Sequence, residues 1–334
     1  MNADELHKDA IVIDVTCPLA RMTEYIDWWR EGGATAIAPT VTGMAGNART
    51  GFSQIGGWRR YVRERDDTIL VLTANDIERA KKEEKLGLIL HCQGTALVED
   101  ELDLLESYQA AGLRIVQLCY NRKNLIGDGA GERTDAGLSH FGVKFIERLN
   151  ALNLVVDCAH TGHQTSMDAV ATSASPAIIS HANAYGVQDN GRNIQDELIR
   201  AIAENGGVVG TVGFPPFLSW EGQPTLDQFI DDIAYKADLV GIDHVGIGID
   251  YYQGQHPVED DETAMKRYDG LVRDGHWRPE EYPPPPYKFP QGIETPRTLQ
   301  NLTARLLERG FSELDIRKIW GLNWMRVYRE GWGG

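Results

Sequence analysis

Residues 142–160 read GVKFIERLNALNLVVDCAH. Up to Asn153 the apolar residues recur at spacings of three and four and the run closes on Asn, as a capped amphipathic helix does; from Leu154 an apolar, β-branched run leads to His160, as a strand does. Segments of these two kinds alternate along the chain to about residue 250. The candidate strands are 11–16, 35–41, 87–92, 114–119, 154–159, 177–180, 207–212 and 244–249. ELDLLESYQAAG, IQDELIRAIAENGG and TLDQFIDDIAYKADLVG, the last with Thr225 as its N-cap, read as helices among them. Eight strands alternating with helices predict an α/β fold, a (β/α)8 TIM barrel.

The organisation expected is one barrel domain over residues 1–334, with a Pro-rich excursion at 251–295 after the eighth strand and C-terminal helices at 296–334 packed back on the barrel. Pro283, Pro284, Pro285 and Pro286 forbid helix where they stand, and the excursion reads either as a surface segment or as a lid over substrate.

Of the 334 residues, 42% are hydrophobic and 25% charged, which is globular usage. A formal charge of −16, from 49 acidic and 33 basic residues, would repel a polyanion. Arg59, Arg60, Arg63 and Arg65 are interspersed with Glu64, Asp66 and Asp67, so no nucleic-acid partner is expected. The opening MNADELHKDAIVIDV has too short an apolar segment for a signal peptide, and no run approaches the roughly 20 apolar residues of a membrane span. A soluble, cytoplasmic protein without a membrane partner is the expectation. Cys17, Cys92, Cys119 and Cys158 show no CxxC pairing, which points to reduced thiols.

In a barrel of this kind the reacting groups stand at the C-terminal ends of strands. The fifth strand ends on His160, the sixth on His181 and the eighth on Asp250. Two imidazoles and a carboxylate suit zinc or a similar divalent ion; each histidine alone could equally satisfy a loop carbonyl. Period 2 places Cys158 on the side of His160 and His91 on the side of Gln93, and turns Cys92 and Cys119 away. Arg192, in the loop beyond His181, can clamp a carboxylate bidentately or stand as a structural arginine.

VVDCAHTG, IISHANAYGVQDNGRNIQDELI, DHVGIGIDY and GLNWMRV together resemble the membrane (renal) dipeptidase family of the amidohydrolase superfamily, over residues 5–330. The resemblance implies a distorted TIM barrel and, in typical members, a binuclear zinc centre that hydrolyses dipeptides. It implies that His160 and His181 bind one metal, that Arg192 holds the substrate carboxylate, that Asp250 is the catalytic acid/base, and that Asn323 is structural. Four positions depart from the family. DVTCPL aligns with D-G-H-x-D-L, putting Thr16 and Pro18 in place of the first-strand histidine and aspartate; Gln93 replaces the bridging glutamate; and Tyr120, followed by Asn121, replaces a substrate-binding histidine. The pattern is that of a divergent bacterial branch of the family.

One divalent ion, zinc by preference, is therefore expected on His160, His181 and Gln93, with Asp250, His91 and His256 as further candidates and without a second metal. Tyr120, Asn121 and Arg192 are expected to bind substrate. The function expected is hydrolysis of an amide or other C–N bond in a small, carboxylate-bearing molecule. A metal-independent lyase or isomerase and a non-catalytic binding protein are the alternatives, and aromatic surface in the tail is compatible with a homodimer.

Overall fold

The computed structural model describes residues 2–42 and 45–332. Its barrel strands are Ile13–Cys17, Ala36–Thr42, the successive pieces Leu86–Leu88 and Leu90–Gln93, Leu113–Gln117, Val155–Asp157, Val209–Thr211 and Val245–Ile247; between the fifth and seventh the chain contributes the bridge residues Ile178 and Ile179. Every neighbouring pair is parallel. The Asp250 amide donates to the Thr16 carbonyl at 3.1 Å and brings the end of the eighth strand onto the first. This is the α/β TIM barrel expected, with two local differences.

The sixth strand is reduced to two residues because the ladder is interrupted from a side chain. Asp157 Oδ1 accepts the Ser180 amide at 2.9 Å, so that N–H is taken by a carboxylate rather than by the backbone of the fifth strand. At the N-terminal end of the barrel, Thr68–Leu70 forms a strand that the sequence reading passed over, pairing in parallel with Leu86–Leu88. Arg114 Nε bonds the Leu72 carbonyl at 2.7 Å and ties this addition to the fourth strand.

The outer helices follow their sequence signals. Leu104–Ala111 ends on Gly112 in the left-handed region (φ 113°), and Leu226–Val240 opens with a capping box between Thr225 and Gln228. Inside Leu226–Val240, Lys236 and Asp232 are fully buried and paired at 2.6 Å. Lys236 also donates to the Ala182 carbonyl and Asp232 accepts the Ala184 amide, so the pair grips the chain just after His181.

Residues 251–295 cross the C-terminal mouth of the barrel. The segment holds a helix, Asp261–Arg273, capped by Asp260, and a short parallel pairing of Gln255–His256 with Tyr287–Lys288; the proline run is not helical. Trp277, Tyr282, Tyr287 and Phe289 pack around Phe214 at centroid distances of 4.8 to 6.3 Å. The tail helices Gln300–Glu308, Glu313–Arg317 and Asn323–Trp332 close the opposite end. Asn323 Nδ2 donates to the carbonyls of Ile242 and Val245 at 2.7 and 2.8 Å, fixing the base of the eighth strand. At Gly246 a Cβ would lie 2.5 Å from the Trp324 ring, so only glycine lets that indole pack against the strand. Among the described residues, no helix is long and apolar enough to cross a membrane.

A candidate metal centre at the barrel mouth

Three residues at or just beyond strand ends, Asn121, His160 and Asp250, hold left-handed backbone with φ of 55°, 59° and 66°. For non-glycine residues this costs on the order of 1–2 kcal/mol each, a strain that recurs where side chains must be aimed at a site. Backbone bonds hold the geometry: the His160 carbonyl accepts the amides of Asn121 (3.2 Å) and Ala130 (2.8 Å).

His160 and His181 are buried, with ring centroids 4.8 Å apart and planes at 62°. On each, Nδ1 is engaged and Nε2 has no partner among the described residues. Burial in the barrel, with the Arg192 guanidinium beside them, drives the affinity of both imidazoles for a proton well below its ordinary value. Both are neutral near pH 7, the form that ligates metal.

The hydrogen bonds fix which nitrogen carries the proton. Ser180 Oγ donates to Asp157 Oδ2 at 2.6 Å and stands 2.7 Å from His181 Nδ1, so it accepts from that nitrogen and leaves a lone pair on Nε2. Asn121 spends its amide N–H groups on the His276 carbonyl and Tyr282 Oη, which turns its Oδ1 toward His160 Nδ1 at 2.8 Å. Arg192 Nε competes for the same nitrogen from 3.1 Å; the shorter contact favours Nδ1–H donating to Asn121 and a free Nε2.

Arg192 is buried, donates through Nη2 to the His181 carbonyl at 3.1 Å, and lies 5.7 Å from the Phe217 ring centroid. Among the described residues it has no carboxylate in ion-pair range. Gln93, Tyr120, His160 and Asp250 share one cavity of about 80 Å³ with Phe214, Trp277 and Tyr282. The excursion over residues 251–295 thus roofs the site. Tyr120 stacks on His160 and its oxygen accepts Trp277 Nε1 at 3.2 Å. Burial raises the Tyr120 phenol and the Asp250 carboxyl well above their usual ranges, Arg192 pulling Asp250 partly back.

The remaining expected residues sit around this centre. Thr16 Oγ1 lies 3.2 Å from His181 Nδ1. Cys158 lines a second cavity on the far side of His160 and Arg192. All four cysteines are buried and free, and burial pushes Cys92 and Cys119 up to about 12, far from thiolate chemistry. His256 is exposed on the excursion. The sequence reading missed Asp157 and Ser180, although an acid within the apolar run VVDCA is itself a signal of a buried polar network.

The donor set fits a divalent ion. The Nε2 atoms of two neighbouring imidazoles, with ring centroids 4.8 Å apart, are buried and unpartnered among the described residues, and Thr16, Pro18 and Gln93 carry no charge. Among the described residues no group of three His, Cys, Asp or Glu side chains has metal-holding spacing, so Asp250 does not complete a triad with the histidines as they stand. An ion there would take neutral oxygen ligands, from Gln93 or solvent, beside the imidazoles.

Fold and site together define an amidohydrolase-type barrel. An amidohydrolase of known structure from Pseudomonas aeruginosa is 34% identical, with a TM-score of 0.90 over the full length of both chains. Residues 31–279 and 286–331 match the membrane dipeptidase family (Peptidase family M19), and the chain belongs to that family. A metallopeptidase from Rhodobacter sphaeroides, solved with a phosphinate mimic of the dipeptide L-Ala-D-Ala, shares the fold at a TM-score of 0.79 and 20% identity, over 97% of this chain and 100% of its own. An uncharacterized dipeptidase of Schizosaccharomyces pombe is 28% identical over 84% of this chain and 62% of its own length. The chain therefore spans about three fifths of that relative.

Proposed function

We propose that the protein is a metal-dependent hydrolase that uses one divalent ion, zinc by preference, to cleave an amide or other C–N bond in a small molecule carrying a carboxylate. The observation that carries this reading is the pair of buried, unpartnered Nε2 atoms on His160 and His181. A buried polar atom without a partner is costly, and two neutral imidazoles side by side suit a metal ion. When bound, a divalent ion polarises the scissile carbonyl and lowers the pKa of water toward about 7.

The chain's own residues supply the rest. Arg192, buried and without a carboxylate in ion-pair range among the described residues, would receive the substrate's anionic end from the cavity it lines beside His160. The raised affinity of Asp250 for a proton suits a group that takes one from the attacking water and returns it to the leaving nitrogen. Tyr120 Oη already accepts from Trp277 and stays protonated, so it can donate to the substrate. The aromatic roof excludes bulk water, which strengthens each of these contacts.

Elemental analysis beside a substrate panel tests the reading. About one equivalent of divalent ion in the purified protein, lost in His181→Ala together with C–N bond cleavage, is the expected result. Undiminished turnover after exhaustive chelation would instead select a metal-independent lyase or isomerase.

A further inference from the structure

Below the two candidate ligands, one carboxylate gathers the polar groups of three strands. Asp157 is fully buried and accepts four hydrogen bonds: Ala159 N–H at 3.0 Å and Ser180 N–H at 2.9 Å on Oδ1, Ser180 Oγ–H at 2.6 Å and His91 Nε2–H at 3.0 Å on Oδ2. No lone pair is left for another role. Because the Ser180 hydroxyl hydrogen is committed to this carboxylate, its oxygen can only accept from His181 Nδ1, at 2.7 Å. Thr16 Oγ1, the other group near that nitrogen at 3.2 Å, has no hydrogen bond elsewhere among the described residues and could either donate or accept a hydrogen bond. The direction of the contact is therefore set by Asp157.

We propose that Asp157 is the positioning residue of the centre: acting through Ser180 it locks His181 in the Nδ1–H tautomer, with the lone pair on Nε2, and acting directly it locks His91 as Nε2–H. A carboxylate that holds a reactive imidazole in one tautomer is a recurring device in ligand and base histidines. The assignment of a use for that lone pair rests on the reading of His181 as a metal ligand, whereas the tautomer does not. His91 Nδ1 is buried and has no hydrogen-bond partner among the described residues.

Imidazole nitrogen shifts in 15N-labelled, metal-free protein test the tautomer without reference to activity. In the wild type His181 should show a protonated Nδ1 and a lone-pair Nε2. In Asp157→Asn the new amide can donate to Ser180 Oγ, which frees the serine hydrogen for His181 Nδ1, so the proton should move to Nε2. Ser180→Ala, a milder change in case Asp157→Asn does not fold, should populate the Nε2–H form through Thr16. Zinc titration should show about 10- to 100-fold weaker binding in both variants, the usual cost of losing an outer partner of a ligand, and recovery in Ser180→Thr. A wild-type His181 protonated on Nε2, or an unchanged tautomer in both variants, overturns the proposal. Correct tautomer shifts in a wild type that binds no ion would instead overturn the metal reading alone.

Discussion

His160 Nδ1 lies 2.8 Å from Asn121 Oδ1, and the two residues share left-handed backbone. The asparagine decides whether the imidazole presents a lone pair or a hydrogen to the site, because Arg192 Nε would draw the opposite tautomer. Asn121→Gly removes the side chain while keeping a residue that accepts φ near 55°. It is expected to weaken divalent-ion binding by about 10- to 100-fold with the circular dichroism spectrum unchanged. Chelator competition measures this, and an unaltered affinity would mean that the Asn121 contact does not set the ring.

Gln93 faces the same cavity, nearly buried and without a side-chain hydrogen bond. A carboxylate there would add a charged ligand beside His160. Gln93→Glu should therefore bind zinc at least about 10-fold more tightly, since ligand charge is a main determinant of affinity. Without metal the variant should melt a few degrees lower, because a second acid beside Asp250 is costly when uncompensated; saturating zinc should more than restore it by mass action. Thermal melts with and without zinc report both effects, and the proposed ion site is wrong if zinc shifts neither protein.

The barrel and the ring of strand-end residues are legible in the sequence because they rest on local signals. The periodicity of GVKFIERLNALN and the run LVVDCAH place a helix and a strand whatever surrounds them, and His160, His181 and Asp250 follow from strand ends alone. The sixth strand is less legible because Ile178 and Ile179 have strand chemistry, whereas the truncation comes from the carboxylate of Asp157 on another strand. The relay from Asp157 through Ser180 is of the same kind: the acid within VVDCA signals a buried polar network without naming its members, and only the closure of neighbouring strands makes Asp157 and Ser180 partners. The roof over the site is likewise non-local, since Trp277 and Tyr282 meet Phe214 from far along the chain.

Asp14 closes the barrel, accepting Trp29 Nε1 at 2.9 Å and the Ile249 amide at 3.0 Å. Burial raises its carboxyl from 3.8 to about 6, its hydrogen-bond donors opposing the rise. Between these values the native state binds a proton that the unfolded chain has released, so this residue's contribution to stability falls as pH rises from about 4 to about 6 and is level above. The loss is about 3 kcal/mol at 1.36 kcal/mol per pH unit. Asp14→Asn removes the titration and keeps an acceptor for Ile249. Urea unfolding of both proteins across this window should show the variant gaining on the wild type by up to about 3 kcal/mol as pH rises, the other titrating groups cancelling in the difference. A constant difference would mean that Asp14 titrates normally.

Lys236 and Asp232 are expected to matter through burial rather than attraction. Neither is exposed, their contact is 2.6 Å, and each also binds backbone beside His181. Lys236→Met leaves a buried aspartate without its counter-charge and should cost about 3–5 kcal/mol, whereas Lys236→Met with Asp232→Asn should cost clearly less, because no uncompensated charge remains. Since the pair grips the Ala182 carbonyl and the Ala184 amide, the single variant should also lose zinc affinity as His181 loosens, and the double variant should recover part of it. Denaturant unfolding and zinc titration on the same three proteins separate the two effects. Equal destabilisation in the single and double variants would show that the lost hydrogen bond to Ala182, not the stranded charge, carries the cost.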